Sequence, residues 1–265
     1  MLEKLLITGA AGALGKMIRP RLQKIAKSLR VSDLHEFALN GDHEELMIGD
    51  LVDTEFMNRL LQDCDGVVHL GGISIEQPFE PILQANVIGI HNLYQAAKKA
   101  GQPRILFASS NHAIGYHSVS ERLDALSPIM PDGFYGVSKV FGEAMASMYF
   151  NKEGQETAIV RIGSCFPEPK DHRMLSTWFS PDDFISLIEM VFKVETLGCP
   201  IIYGASNNDE GWWDNSKTES LGWRPKDNAE EFRAKLDATI PKPAPDDIAT
   251  LNQGGSFAAA PLMTK

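Results

Sequence analysis

The octapeptide TGAAGALG, residues 8–15, stands directly behind the apolar run Leu5-Leu6-Ile7 and opens a helical pattern. Glycines recur at 9, 12 and 15. Behind a strand and ahead of a helix, such spacing permits a tight turn and close helix–sheet packing. Outward from this turn, short apolar runs alternate with longer helix-patterned segments. Residues 13–26 read as a helix, 29–32 as a second strand and 45–49 as a third. Asp53 reads as the cap of a helix over 55–61. Strands are expected at 66–70, 104–108 and 157–162, with helices at 82–100 and 133–150 between them. This alternation predicts an α/β fold, a Rossmann-type doubly wound parallel sheet with helices on both faces. Beyond residue 162 the pattern loosens. Ser180-Pro181-Asp182-Asp183 is a strong helix start, with a serine cap, proline at the first turn and two acids against the dipole. That helix is expected to run to about Val194. A further strand is expected at 199–203, and PKPAPDD at 241–247 reads as a linker.

The chain has 265 residues, 43% apolar and 23% charged, which is ordinary globular usage with enough apolar residues for a sizeable core. Residues 1–165 are expected to form the main dinucleotide domain. Residues 166–265 are expected to form a small C-terminal substrate-binding lobe and tail that partly completes the main sheet. With 25 Lys plus Arg against 35 Asp plus Glu, the net charge of −10 argues against nucleic acid or an anionic membrane as partner. Three well-spaced cysteines, Cys64, Cys165 and Cys199, suggest neither a disulfide framework nor a zinc site. No apolar run is long enough to span a bilayer, and no signal-peptide layout opens the chain, so a cytoplasmic location is expected.

The glycine turn implies a dinucleotide ligand. Gly9, Gly12, Ala13, Leu14 and Gly15 would offer backbone N–H groups and a helix N-terminus to a pyrophosphate. Asp33 ends the next strand, where a carboxylate can bind a ribose diol. Its charge would repel a 2′-phosphate, and no Lys or Arg follows in Leu34-His35-Glu36, so NAD is expected rather than NADP. Asp50-Leu51 and Leu70-Gly71-Gly72 end the third and fourth strands, where they can flank the same ligand. The plainer readings are a helix cap or turn acid for Asp33 and a helix cap for Asp50.

Tyr135-Gly136-Val137-Ser138-Lys139 places a tyrosine and a lysine on one helix face. A nearby ammonium and an oxidised nicotinamide both favour phenolate. A fall of about 2 to 3 units needs roughly 3 to 4 kcal/mol, and would make Tyr135 a general base near neutral pH. Ser109-Ser110-Asn111-His112 follows the fifth strand, which puts a hydroxyl at the C-terminal edge of the sheet.

Together these motifs identify a resemblance to the extended-type short-chain dehydrogenase/reductase superfamily, carried by TGAAGALG at 8–15, Asp33, Asp50-Leu51, HLGG at 69–72, NVIG at 86–89, SSNHAIGY at 109–116 and YGVSK at 135–139. The stretches RIGSCFPEP, RMLSTWFSPDDF, GWWDNS and LGWRPKDNAE extend it over nearly the whole chain, to the uronate dehydrogenase family. The resemblance implies oxidation of D-glucuronate or D-galacturonate at C1 to the aldaric acid lactone, with hydride transfer to nicotinamide C4 of NAD. It implies Tyr135 as base, Lys139 as its tuning cation and a cofactor ligand, and Ser110 as orienter of the sugar hydroxyl. Ser74, Ser110, Asn111, His112, Tyr135, Ser164 and Arg173 would line the sugar pocket, and Cys165 would touch the cofactor. Arg173 offers a bidentate fork for the sugar carboxylate, with Arg161 as its rival. No metal is expected. An NAD-dependent sugar epimerase or dehydratase, and a non-catalytic dinucleotide sensor, are the competing readings. By analogy, a homo-oligomer paired through the 82–100 and 133–150 helices is expected.

Overall fold

Along the first strand, Leu5 and Ile7 face one apolar core and Leu6 the other. That period of two, with all three side chains fully buried, is what a strand covered on both faces requires. In the computed structural model, which describes residues 1–263, the strands β1 (Leu2–Thr8), β2 (Ala26–Asp33), β3 (Glu44–Ile48), β4 (Gly66–His69), β5 (Arg104–Ser110), β6 (Thr157–Ile162) and β9 (Ile201–Gly204) form one sheet. Their order is β3-β2-β1-β4-β5-β6-β9, and every pairing is parallel. Strands β7 (Ser164–Cys165) and β8 (Trp178–Phe179) make a small second sheet. One core lies under α1 (Ala13–Ile18) and α7 (Pro181–Lys193), the other under α2 (Thr54–Leu61), α4 (Gly89–Lys99) and α5 (Phe134–Glu153). The strand order reverses between β1 and β4, and a crevice opens there at the carboxyl ends of the strands.

Local chemistry sets the element boundaries. Asp53 caps α2 by accepting from the Glu55 and Phe56 N–H groups, a contact worth about 1 kcal/mol. Ser180 accepts from Asp183 N–H at 2.9 Å and Pro181 opens α7, as the sequence predicts. Helix α5 ends at Gly154, whose φ of 76° supplies the left-handed cap.

Two expected helices differ. The 13–26 segment leaves the α register after Ile18 and continues as a 3-10 helix, Arg19–Lys24, while Ala26 already belongs to β2. Pro20 has no N–H for the carbonyl a turn back, and Arg19 turns inward to a buried ion pair with Glu44. The 82–100 segment begins earlier, as α3 (Phe79–Ile82), passes through a π turn at Leu83–Ile88 and resumes as α4. The extra residue in that turn aims Asn86 inward. Its side chain accepts from Ile73 N–H and donates to Ile73 O and Ser138 Oγ.

The 166–265 part contributes β9 and α7 to the main sheet and its cover, then α6 (Met174–Thr177) and α8 (Arg233–Thr239). The 241–247 segment is exposed and holds no helix or strand. Behind it the chain returns as α9 (Ile248–Leu251) and α10 (Ser256–Ala259), against its own 112–118 loop. Among the described residues no helix is long and apolar enough to cross a membrane, and no cluster of potential metal ligands occurs.

Candidate active site

A cavity of about 740 Å³ lies over the carboxyl ends of the strands. Every residue expected at cofactor or sugar borders it: Gly9, Gly12–Gly15, Asp33, Asp50, Leu51, Leu70–Gly72 and Ser74 from the first half, then Ser110–His112, Tyr135, Lys139, Ser164, Cys165 and Arg173. Arg161 lies elsewhere. It is fully buried and clamped by both Glu143 carboxylate oxygens at 2.9 and 2.8 Å, with the Tyr203 hydroxyl beside it.

One end of the cavity is backbone-lined. Gly9 has φ of 69°, and a Cβ there would come within 2.7 Å of the Leu70 carbonyl carbon. A Cβ on Gly15 would meet Ala10 Cα at 2.6 Å. Gly12 precedes α1 with no side-chain cap, which leaves the first N–H groups of that helix without intrahelical acceptors. Asp33 accepts from Ala11 and Leu34 N–H, at 2.9 and 2.8 Å. The plainer reading of Asp33 is thus partly true: it is a turn acid. A carboxylate has about four lone-pair sites, so two remain for a diol. Asp50 accepts from Val52 N–H and is not the helix cap; Asp53 is. The Thr8 hydroxyl accepts from Gly71 N–H and bonds His69 Nδ1 at 2.7 Å, fixing the β4 turn under the cavity. Burial, with the Lys139 charge adding, pulls His69 down to about 3, so this imidazole stays neutral. Glycine turn, free N–H groups and strand-end acid together fit a dinucleotide.

The other end carries the reactive groups. Tyr135 and Lys139 lie one turn apart near the N-terminus of α5, capped by Glu76, whose carboxylate accepts from Phe134 and Tyr135 N–H. Lys139 Nζ donates to Ala108 O at 2.8 Å and lies 5.5 Å from the centre of the Tyr135 ring. Burial pulls Lys139 down to about 8. Burial also pushes Tyr135 up to about 12; a hydrogen bond with Ser110 offsets this in part, and Asp132 adds to it. The depression of Tyr135 expected from the sequence is therefore not a property of the chain alone. Desolvation of the phenolate is the largest cause, and a positive charge brought close by a ligand would oppose it.

Arg173 borders the same cavity. Its Nε and Nη2 donate to the main-chain oxygen of Gln253. Asn111, with its amide oxygen toward this arginine, accepts from Nη2 at 2.8 Å and donates to Ile162 O at 3.2 Å. Among the described residues Arg173 pairs with no carboxylate. Burial holds it below the ordinary arginine value, with Asp171 and Asp132 opposing. The Ser164 hydroxyl bonds Thr177 at 2.9 Å. Burial raises the Cys165 thiol strongly, so it is no nucleophile.

The model of the NAD dependent epimerase/dehydratase family matches residues 5–180. The uronate dehydrogenase of Agrobacterium fabrum is 58% identical over 261 residues, covering 98% of either chain. The chain belongs to the uronate dehydrogenase family. Within that family, the crystal structure of the Agrobacterium tumefaciens uronate dehydrogenase superposes with a TM-score of 0.97 at 57% identity, covering 99% of each chain. The glucuronic acid dehydrogenase of Chromohalobacter salexigens gives 0.97 at 50% identity over 98% of each.

Sequence reasoning assigned no site role to Phe257, Asp132, Glu76 or Gln253. Phe257 borders the cavity and stacks on His112 with ring centres 3.9 Å apart. Gln253 is fully buried; its side chain donates to Ser118 O and Glu121 O and accepts from Trp213 Nε1. The one signal for this region was the Gly254-Gly255 pair. A Cβ on Gly254 would overlap Asp132, and one on Gly255, at φ of 64°, would press on Arg173 at 2.8 Å.

Proposed function

We propose that this chain oxidises a hexuronate, D-glucuronate or D-galacturonate, at C1 to the aldaric acid lactone, with NAD as oxidant. The observation that carries the reading is one cavity that gathers Ser110, Tyr135 and Lys139 with Arg173, an arginine that pairs with no carboxylate among the described residues. Tyr135 takes the proton of the anomeric hydroxyl as the C1–H bond breaks. The ring oxygen stays attached, so the carbonyl formed at C1 belongs to a lactone. The 9–15 turn, Asp33, Asp50-Leu51, the 70–72 turn, Lys139 and Cys165 would hold NAD, which when bound would supply the hydride acceptor and a positive charge that favours the Tyr135 phenolate. Ser110 orients the hydroxyl. Arg173 receives the sugar carboxylate through a charge-assisted fork, and Ser74, Asn111, His112 and Ser164 hold the remaining hydroxyls. The sugar lies between the 1–165 and 166–265 parts.

Three relatives, 48–58% identical over 97–98% of this chain, are named uronate dehydrogenases, which sets the epimerase and sensor readings behind this one. The three cysteines are free thiols, in keeping with a cytoplasmic enzyme. Val137 and Met148 on α5 and Phe79 on α3 are exposed, and we assign this face to pairing in a homo-oligomer. Purified protein with NAD should form NADH and lactone with glucuronate and galacturonate, and almost none with glucose or galactose. Equal rates with the neutral sugars would refute the assignment.

A further inference from the structure

We infer that Asp132 is a positioning residue of the reaction: its carboxylate fixes the His112 ring so that Nε2 offers a lone pair to a sugar hydroxyl beside Tyr135. The inference rests on the sugar-oxidising reading of the cavity and extends it to a residue behind the cavity wall.

Asp132 Oδ2 meets His112 Nδ1 at 2.7 Å, and the Asp132 side chain is fully buried. It is held without slack. A Cβ on either Gly115 or Gly254 would come within 1.9 Å of Oδ2. The Asp132 N–H donates to His112 O at 3.3 Å, and Gly254 N–H to Gly115 O at 2.7 Å. The His112 ring is fixed as firmly, stacked on Phe257 and edge-on to Tyr135 at 5.6 Å. The charged and titratable groups around the ring are Asp132 ahead of α5, Tyr135 on α5 and Arg173 by way of Asn111; α10 supplies only Phe257.

A carboxylate accepts and does not donate, so the nitrogen facing Asp132 carries the ring proton. A neutral ring then presents Nε2 as a pure acceptor. Among sugar-facing groups, that complements Arg173, which only donates. With the tautomer reversed, Nε2–H would donate and turn the bound hydroxyl around. A purely structural role leaves the acid unexplained. Glu76, not Asp132, takes the free N–H groups at the start of α5. Among the described residues Asp132 Oδ1 meets no hydrogen-bond donor, so the one side-chain partner recorded for this carboxylate is His112.

The test is a long-range ¹H–¹⁵N correlation spectrum of ¹⁵N-histidine-labelled protein, with the His112 signals assigned by their loss in His112→Ala. The wild-type ring should be protonated on Nδ1. Asp132→Leu should move the proton toward Nε2, and Asp132→Asn, whose amide oxygen still accepts, should keep it on Nδ1. In kinetics, Asp132→Leu should lower kcat/KM for the uronate ten-fold or more with NAD affinity unchanged within two-fold. Asp132→Asn should recover most of that loss. In a His112→Ala background, Asp132→Leu should cost less than two-fold further. A wild-type ring protonated on Nε2 would overturn the proposal. So would a loss that persists in the His112→Ala background, or an equal fall in NAD affinity. If Asp132→Leu does not fold, the wild-type and Asp132→Asn spectra decide. If the wild type oxidises no uronate, the functional reading falls and the ring spectrum still judges Asp132.

Discussion

Tyr135 and Arg173 divide the work of the site between chemistry and recognition, and single substitutions should separate the two. Tyr135→Phe keeps the ring that packs near His112 and Phe257 and removes only the proton acceptor. Its kcat should fall about 10²–10⁴-fold, the usual contribution of a general base, while NAD titrated by fluorescence binds as before. A comparable loss of NAD affinity would mean that the hydroxyl holds the cofactor instead. Arg173→Ala removes the one cation expected to meet the sugar carboxylate. The loss of such a buried pair is worth about 2 kcal/mol or more, roughly a 30-fold rise in KM for the uronate. KM for NAD should hardly move, and Arg173→Lys should restore little, because a lysine lacks the fork. Equal shifts in both KM values would end the carboxylate role. Arg161 shows why composition alone could not choose between the two arginines: only the Glu143 clamp, visible in three dimensions, removes it from the site.

At the scale of the element, α5 carries two buried titrating groups whose effects on stability run in opposite directions. Lys139 lies near 8 in the folded chain against an ordinary 10.5. Below about pH 8 both folded and unfolded chains are protonated here, and the full burial cost is felt. From about 8 to 10.5 the folded chain releases its proton first, so this residue makes stability rise with pH, by at most about 1.4 kcal/mol per unit. Tyr135, raised to about 12 from 10, is ionised first in the unfolded chain, so stability falls above about pH 10. In urea titrations without NAD, Lys139→Met should exceed the wild type in stability at pH 7, and the gap should narrow between pH 8 and 10. Parallel curves would show that Lys139 is not held in this state. The glycine turn, the strand sequence and the YGVSK helix were legible because their signals are local: a residue type fixes a dihedral or a helix face. The π turn at 83–88 was not, since it arises from Asn86 reaching Ile73 and Ser138, contacts made by tertiary packing. The 19–26 segment departs from an α-helix for a local reason written in the sequence: Pro20 lacks the N–H that would continue the ladder.

The whole molecule is acidic, with a net charge of −10, yet its cavity is expected to accept an anion. Salt screens the global field within about 8 to 10 Å, so the binding energy must come from groups held in place inside the cavity. The C-terminal segment does the holding. After the exposed 241–247 stretch, Gln253 anchors to Ser118, Glu121 and Trp213, presents its carbonyl to Arg173, and is followed by Gly254 against Asp132 and Phe257 on His112. None of this could be read from the tail's composition, because each contact joins residues far apart in the chain. The central sheet owes little to the segment: Ala258 is its only buried apolar residue among those described. A chain ended before Ile248 should therefore fold with its parallel sheet intact by circular dichroism and bind NAD nearly as the full chain does. Freed of Gln253, Arg173 loses a fixed direction, and His112 loses the ring that pins it. The kcat/KM for uronates should drop 100-fold or more, the scale on which misplacement by about 1 Å acts. Phe257→Ala alone should give a smaller loss in the same direction. A truncated enzyme with unchanged KM and kcat would show that Arg173 and His112 are oriented by the Rossmann body and need no strap.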